Sequence, residues 1–121
     1  MGQTLFDKIW AQHSVKELGD VTLLAIDRIL LHERTGGVAL RSLRDSGRSV
    51  RGVERVFGIM DHVVDTFPGR TDKTVMPTGA DFIRTFREEC ARNGITLFDI
   101  GDPRQGIVHV VSPEQGIVQP G

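Results

Sequence analysis

The sequence predicts an α/β fold in which helices cover a mostly parallel sheet. Three short apolar segments, 21–26, 56–60 and 95–100, are each bounded by turn residues, which is typical of strands buried on both faces. Stretches with helical patterns alternate with these segments, and this alternation indicates an α/β domain. At 121 residues, the chain has room for at most one domain.

Composition and charge exclude several classes of protein. Hydrophobic residues make up 39% of the chain and charged residues 26%, which favours a packed core over disorder. The net charge of −1 provides no basic field for nucleic acid or an anionic membrane. A run of arginines lies near the middle of the chain: Arg41, Arg44, Arg48, Arg51 and Arg55. Because acidic residues interrupt this run, we interpret it as a solvated face, with a phosphate or carboxylate site as the alternative.

Cysteine usage and the lack of targeting patterns predict a cytoplasmic protein. The single cysteine, Cys90, excludes an internal disulfide and a multi-cysteine metal site within this chain. The N-terminus has no basic stretch followed by an apolar one, and no apolar run approaches the ~20 residues of a membrane span. We therefore expect a reducing compartment and no membrane contact.

The first helix is predicted to begin at Thr4 and to end near Lys16. Thr4 has the hydroxyl of an N-cap, and the carboxylate of Asp7 follows three residues later, as in a variant of the capping box. Four-residue spacing places four apolar side chains on one face: Leu5, Phe6, Ile9 and Trp10. A second, shorter helical pattern covers 38–45 and stops by Gly47.

The predicted strand 56–60 is followed by a loop and a clear helix. Segment 66–77 is rich in turn residues and charges, and we expect a mobile loop there. Thr78 is predicted to cap the next helix and Asn93–Gly94 to end it. The predicted core face of this helix consists of Phe82, Ile83, Phe86 and Cys90. The third strand, 95–100, then leads towards the histidine-bearing tail.

Among the four histidines, His62 is the main candidate for chemistry. It forms an Asp61–His62 dipeptide directly after the second apolar strand, and ligands gather at the carboxyl ends of strands in open α/β sheets. A carboxylate within hydrogen-bond reach orients an imidazole for general acid catalysis. Neighbouring residues on a regular strand point to opposite faces, so the pair requires that the strand has already ended. His109 lies in an apolar run and is by default a core histidine, with function as the alternative, while His13 and His32 are interpreted as structural.

Two segments carry a resemblance to a known family. They are Ile59–Val64, and Gln105–Val110 followed by Pro113–Gly116 and a turn at Pro120–Gly121. In this order and spacing they resemble the N-terminal region of the aconitase superfamily, most closely its 3-isopropylmalate dehydratase large subunits. Further similar segments are Thr4–Ile9, Ile26–Arg28, Leu31–Glu33 and Leu97–Ile100.

The resemblance implies a truncated part of a three-layer α/β/α domain and a hydro-lyase activity. Members of this family move a hydroxyl between neighbouring carbons of a hydroxy di- or tricarboxylic acid. An iron of a [4Fe-4S] cluster binds the substrate hydroxyl as a Lewis acid, and a histidine protonates the departing group. By resemblance, His62 is that acid with Asp61 as its partner, and His109 is a second active-site histidine. Asp27 falls in another active-site segment and is assigned to substrate binding.

The resemblance also implies parts that this chain does not hold. The cluster cysteines, the substrate-binding arginines and a serine base belong to the remaining domains or to a small swivelling-domain subunit. We therefore assign no metal ligand here, and Cys90 is interpreted as core. We expect the isolated chain to be inactive and to self-associate or to need a partner, because a sheet without its later strands has an open edge. The alternative is a stand-alone binding or assembly module that uses the same architecture without chemistry.

Overall fold

The computed structural model describes residues 2–119 and divides the chain into two compact units. The small unit consists mainly of the residues up to Asp27, and the large unit is Arg28–Val118. The predicted turn at Pro120–Gly121 lies outside the described residues. Within residues 2–119, none of the helices combines the length and apolarity that crossing a bilayer requires.

The small unit begins with a capped helix, α1, over Leu5–His13. The Thr4 hydroxyl accepts a hydrogen bond from the Asp7 backbone N–H at 3.1 Å, and the Asp7 carboxylate accepts one from the Thr4 N–H at 2.9 Å. The predicted capping box is therefore confirmed. The helix ends at His13 rather than near Lys16, because the chain passes directly into an extended strand.

That strand, β1 (Ser14–Leu18), pairs antiparallel with β2 (Val21–Leu24). The predicted parallel strand buried on both faces over 21–26 is therefore wrong: β2 belongs to a two-stranded hairpin, and each of its residues is exposed or half-buried. Gly19 adopts a φ of +70° in the connecting turn, a left-handed conformation that glycine adopts without steric cost. An unbroken apolar run occurs both in buried parallel strands and in hairpin strands, so this pattern alone does not distinguish the two.

The large unit contains three parallel strands and three α-helices. In chain order, its elements are β3 (Ile29–His32), α2 (Gly36–Asp45), a 3₁₀ turn (Val53–Arg55), β4 (Val56–Ile59), α3 (Gly79–Asn93), β5 (Thr96–Phe98) and α4 (Val108–Glu114). The strands lie in the order β3-β4-β5, and both pairs are parallel. The predicted α/β class is confirmed, as are the two strands in 56–60 and 95–100, whereas β3 was not predicted.

The ends of α2 and α3 agree with the sequence patterns except at one cap. The helix α2 begins at Gly36, slightly before the predicted start, and ends at Asp45. The helix α3 begins directly after Thr78, but Thr78 has a φ of +62° and its hydroxyl donates to the Pro77 carbonyl oxygen at 2.6 Å. The predicted side-chain cap is therefore wrong. Gly94 ends α3 in a left-handed conformation, as predicted.

Two apolar clusters pack on opposite faces of the sheet. Alternation along β4 turns Val56 and Gly58 to one face and Phe57 and Ile59 to the other. The first face packs against α2 and α3 around Phe86, which is fully buried with Ile83 and Cys90, as predicted for the α3 core face. The second cluster joins Ile59 to Phe98, Val111 and Ile117. Because Val111 belongs to α4, helices cover both faces, as in a three-layer α/β/α arrangement.

Small residues permit the close approach of α2 to α3. A Cβ atom on Gly36 would lie 2.6 Å from the Phe86 ring, and one on Gly37 would lie 3.0 Å from the Phe86 backbone nitrogen. Two arginines of the run also bind α3: Arg41 donates to Thr85, and Arg44 pairs with the buried carboxylate of Glu89. At these positions the arginine run is therefore part of the helix packing rather than a purely solvated face.

The predicted loop over 66–77 is confirmed as irregular structure, and ionic contacts connect it to α3. The guanidinium of Arg87 donates to Asp72 in the loop and to Asp99 after β5, at 2.6–2.9 Å. These two carboxylates raise the pKa of Arg87. Whether the loop is mobile stays a prediction.

Candidate functional site

The candidate site lies where β3 and β4 end, at the carboxyl edge of the parallel sheet. In the register of this pair, His32 lies beside Ile59. His32 at the end of β3 and Glu33 directly after it therefore lie next to Met60–His62, which follow β4. This is the edge where ligands bind in open α/β sheets.

Asp61 and His62 form a hydrogen-bonded pair. Since β4 ends at Ile59, the two side chains no longer have to point to opposite faces. The Nδ1 atom of His62 lies 2.5 Å from Oδ1 of Asp61. The Asp61 side chain is 2% exposed and that of His62 is 43% exposed, so a buried carboxylate orients an accessible imidazole. The local geometry required by the sequence hypothesis is present.

The second oxygen of Asp61 connects this pair to the helix that carries His109. Oδ2 accepts a hydrogen bond from the backbone N–H of Val108 at 2.8 Å, and Val108 is the first residue of α4. The first N–H groups of a helix need external acceptors, and a carboxylate there also interacts favourably with the helix dipole. Asp61 therefore contacts both predicted histidine segments at once.

His109 lies in α4 and is exposed. The default interpretation of a buried core histidine is therefore wrong. The apolar run folds as a helix because Val111 packs against Ile59 and Phe98 and because Asp61 accepts the first N–H group. These are tertiary contacts, and they outweigh the low helix propensity of the β-branched residues.

Glu33 is a site residue that the sequence did not single out. It is fully buried, and its carboxylate accepts backbone N–H groups from three successive residues: Asp61 at 3.0 Å, His62 at 2.6 Å, and Val63. Its position directly after the apolar run of β3 was visible in the sequence. The burial of this carboxylate was not, because glutamate is mostly exposed in proteins.

His32 stacks on His62. The ring centroids are 3.5 Å apart and the ring planes differ by 8°. Burial lowers the pKa of His32, and the nearby His62 lowers it further. The Nδ1 atom of His32 is buried and finds no hydrogen-bond partner among residues 2–119. His32 was interpreted as structural. Its ring stacks on that of His62, the candidate acid, so His32 lies at the candidate site.

His32, Glu33 and His62 also present donor atoms within 4.8 Å of one another, which raises the question of a metal ion. A metal binds imidazole along the nitrogen lone pair, in the plane of the ring. The lone pairs of two parallel stacked rings run side by side and do not meet at one point. The Glu33 oxygens already accept three N–H groups, and Nδ1 of His62 faces Asp61. We therefore assign no metal to this cluster.

Asp27 is located in the small unit, where it pairs with His13. The His13 Nε2 atom lies 2.5 Å from Oδ2 of Asp27, and its Nδ1 atom lies 2.7 Å from the Ile9 carbonyl oxygen. His13 is the last residue of α1, and its carboxylate partner was not foreseen. A substrate-binding role for Asp27 stays a prediction.

The His13–Asp27 pair is expected to make the small unit sensitive to pH. The Asp27 carboxylate is the main cause that raises the pKa of His13 above its ordinary value of 6.5. A group whose pKa is raised on folding stabilises the folded state fully below its unfolded pKa, and this contribution is lost as pH rises through the folded pKa. We therefore expect the pair to stabilise the small unit below about pH 6.5 and to lose this effect at higher pH.

This expectation is checked by NMR titration of the His13 ring in the parent chain and in Asp27→Asn. The pKa of His13 should fall in Asp27→Asn and stay unchanged in Asp20→Asn, which alters an exposed carboxylate in the hairpin turn. The same pKa for His13 in all three proteins would contradict the pairing.

The structure has a parallel α/β sheet with an aspartate–histidine pair at its carboxyl edge. Similarity to known proteins identifies the family. The chain belongs to the aconitase family, whose model, described as aconitate hydratase, matches residues 7–121. It is 45% identical to the 3-isopropylmalate dehydratase large subunit of Akkermansia muciniphila, over all of this chain and 26% of that protein. The corresponding protein of Thermus thermophilus is 41% identical over the same shares.

A further relative, 3-isopropylmalate dehydratase large subunit 2 of Salmonella typhimurium, is 45% identical over 98% of this chain and 26% of its own length. The family resemblance inferred from the two histidine segments is confirmed. The chain spans about a quarter of the length of these relatives, at 26% of each.

The residues of this chain do not fit a [4Fe-4S] cluster, the group that enzymes of this family generally bind. Cluster irons are held by cysteine thiolates, and this sequence contains one cysteine. Cys90 is 1% exposed on the core face of α3, and burial raises the pKa of its thiol to about 12. A thiol in this environment stays protonated and packs as an apolar group.

Proposed function

We propose that this chain is part of a hydro-lyase that dehydrates and rehydrates a hydroxy di- or tricarboxylic acid, with 3-isopropylmalate as the first candidate substrate. The Asp61–His62 pair at the carboxyl edge of the sheet is the observation that carries this proposal. The relatives named above are dehydratases of 3-isopropylmalate, and they support the choice of substrate class.

His62 is proposed as the group that protonates the leaving hydroxyl. Hydroxide is a poor leaving group, so dehydration needs a proton donor at the departing oxygen. The Asp61 carboxylate can only accept a hydrogen bond, so the Nδ1 atom of His62 carries a hydrogen in this pair. The second proton of the imidazolium is then on Nε2, from which it is donated. The 43% exposure of the His62 side chain leaves it within reach of a ligand.

The remaining site residues have supporting roles in this proposal. Asp61 orients His62 and also accepts the first N–H of α4, which fixes the helix from which His109 projects. His109 is proposed as a second active-site histidine, and its exposure is compatible with contact to a ligand. Asp27 is proposed to bind substrate.

The proposal requires parts from outside this chain. The iron–sulfur cluster supplies Lewis-acid chemistry in this family, and its thiolate ligands must come from elsewhere because Cys90 does not fit. The relatives are named large subunits, so we propose a small subunit as the partner. A single reduced cysteine and an iron–sulfur enzyme both favour the cytoplasm.

The test is an assay of the polypeptide that contains this chain, produced together with its small subunit under anaerobic conditions. We expect 3-isopropylmalate to be dehydrated to an unsaturated diacid, which is followed by the absorbance of the new double bond. Citrate, homocitrate and methylmalate form the comparison panel. Activity on another member of the panel would correct the substrate, and turnover of none of them would refute the proposed function.

A further inference from the structure

We propose that Glu33 is a positioning residue that holds the proton donor His62 in place through the backbone. This inference rests on the proposed function insofar as His62 acts as an acid. Glu33 leaves β3 next to the end of β4, and its carboxylate accepts the N–H groups of Asp61, His62 and Val63. It therefore contacts the backbone on both sides of the His62 Cα atom.

The burial of Glu33 explains why this contact is firm. A carboxylate removed from water is costly unless hydrogen bonds or charges compensate for the lost hydration. Glu33 is fully buried, and three N–H donors from one turn of the chain supply this compensation. Charge-assisted hydrogen bonds of this kind are shorter and stronger than neutral ones. The folded state therefore keeps the turn over 61–63 in one conformation.

The Glu33 contact completes a set of three constraints on His62. Asp61 holds the edge of the ring at Nδ1, and His32 covers its face at a centroid distance of 3.5 Å. Both constraints act on the side chain, so they need a fixed backbone beneath them. Because Glu33 has no exposed surface, it acts through this turn rather than on a ligand directly.

Positioning of this kind has a measurable effect on rate. A proton donor must lie within hydrogen-bond reach of its target, and a displacement of about 1 Å can lower the rate about 100-fold. Glu33→Gln keeps the shape of the side chain but replaces one acceptor oxygen with an NH₂ group that faces N–H donors. We expect kcat of the assembled enzyme to fall about 10- to 100-fold, while KM changes less than about twofold because the groups that bind substrate are unchanged.

A second readout does not depend on activity. In protein labelled with ¹⁵N-histidine, the backbone N–H of His62 reports its hydrogen bond to Glu33. In Glu33→Gln we expect its proton signal to move upfield and its exchange with solvent to accelerate at least about tenfold, because a charge-assisted bond is lost. Glu88→Gln, at an exposed position on α3, is the matched control and should change neither readout.

The outcomes separate this inference from the proposed function. If the parent enzyme turns over none of the hydroxy acids, the proposed function fails, and the His62 amide signal still decides whether Glu33 holds the turn. If the parent is active and Glu33→Gln keeps its kcat, or if the amide signal does not move, the inference is overturned. If Glu33→Gln does not fold, Glu33→Asp is the second variant, because it retains the charge on a shorter side chain. Glu33→Asp must then lower kcat and move the amide signal in the same direction, each by less than is expected for Glu33→Gln. Parental values for either would overturn the inference.

Discussion

His62→Ala is expected to lower kcat of the assembled enzyme about 100- to 10,000-fold, the range that a positioned general acid contributes. The reason is that the leaving hydroxyl then departs without a proton donor. Asp61 keeps its hydrogen bond to Val108 at the start of α4, so the fold should be retained. Steady-state kinetics with 3-isopropylmalate, together with the cluster content of each preparation, provide the measurement.

Lys16→Ala is the control, because Lys16 is an exposed residue of β1 in the small unit and belongs to neither the candidate site nor the His13–Asp27 pair. We expect this variant to keep kcat within about threefold, since no group of the proposed site is removed. Asp61→Asn should lower kcat less than His62→Ala, because the imidazole stays in place but loses its carboxylate partner. If His62→Ala retained the parental kcat, His62 would not be the acid.

Phe86→Ala is expected to lower the free energy of unfolding of the large unit by about 3–5 kcal/mol, as is typical of removing a buried aromatic ring. Phe86 is fully buried between α2 and the sheet, and the space at Gly36 and Gly58 is shaped around its ring. The surrounding backbone cannot collapse fully into the space that the ring leaves, so a cavity adds to the loss of apolar burial.

Urea unfolding followed by far-ultraviolet circular dichroism measures this change. Phe67→Ala is the matched control, since Phe67 lies in the loop and is 52% exposed; it should change stability by less than about 0.5 kcal/mol. Equal unfolding midpoints for the two variants would contradict the central packing role of Phe86.

Local patterns in the sequence were sufficient to predict the helices α1, α2 and α3 and the strands β4 and β5. The helix α1 has a capping box and α3 has a four-residue apolar repeat with a glycine end, and both signals come from neighbours in the chain. The strands were harder because their pairing depends on distant segments. An apolar run gives no register, so 21–26 was placed in the wrong sheet and Ile29–His32 was missed.

The candidate site likewise contains contacts that the sequence predicts and contacts that it does not. The Asp61–His62 pair could be predicted because the two residues are adjacent and follow an apolar strand. The contact of Asp61 with Val108 and that of Glu33 with the turn over 61–63 join segments far apart in the sequence, and no local pattern contains them. The stacking of His32 on His62 likewise follows from the parallel pairing of β3 with β4.

Glu33 binds peptide groups rather than side chains, and this has a consequence for how the sequence can vary. Most substitutions at 61–63 leave the peptide N–H in place, so evolution can change the chemistry of these side chains without losing the anchor. Proline is the exception, because it has no N–H to offer and fixes its own φ. Through these hydrogen bonds, Glu33 disfavours proline at residues some thirty positions later in the chain. The contact itself places no restriction on the other amino acids there.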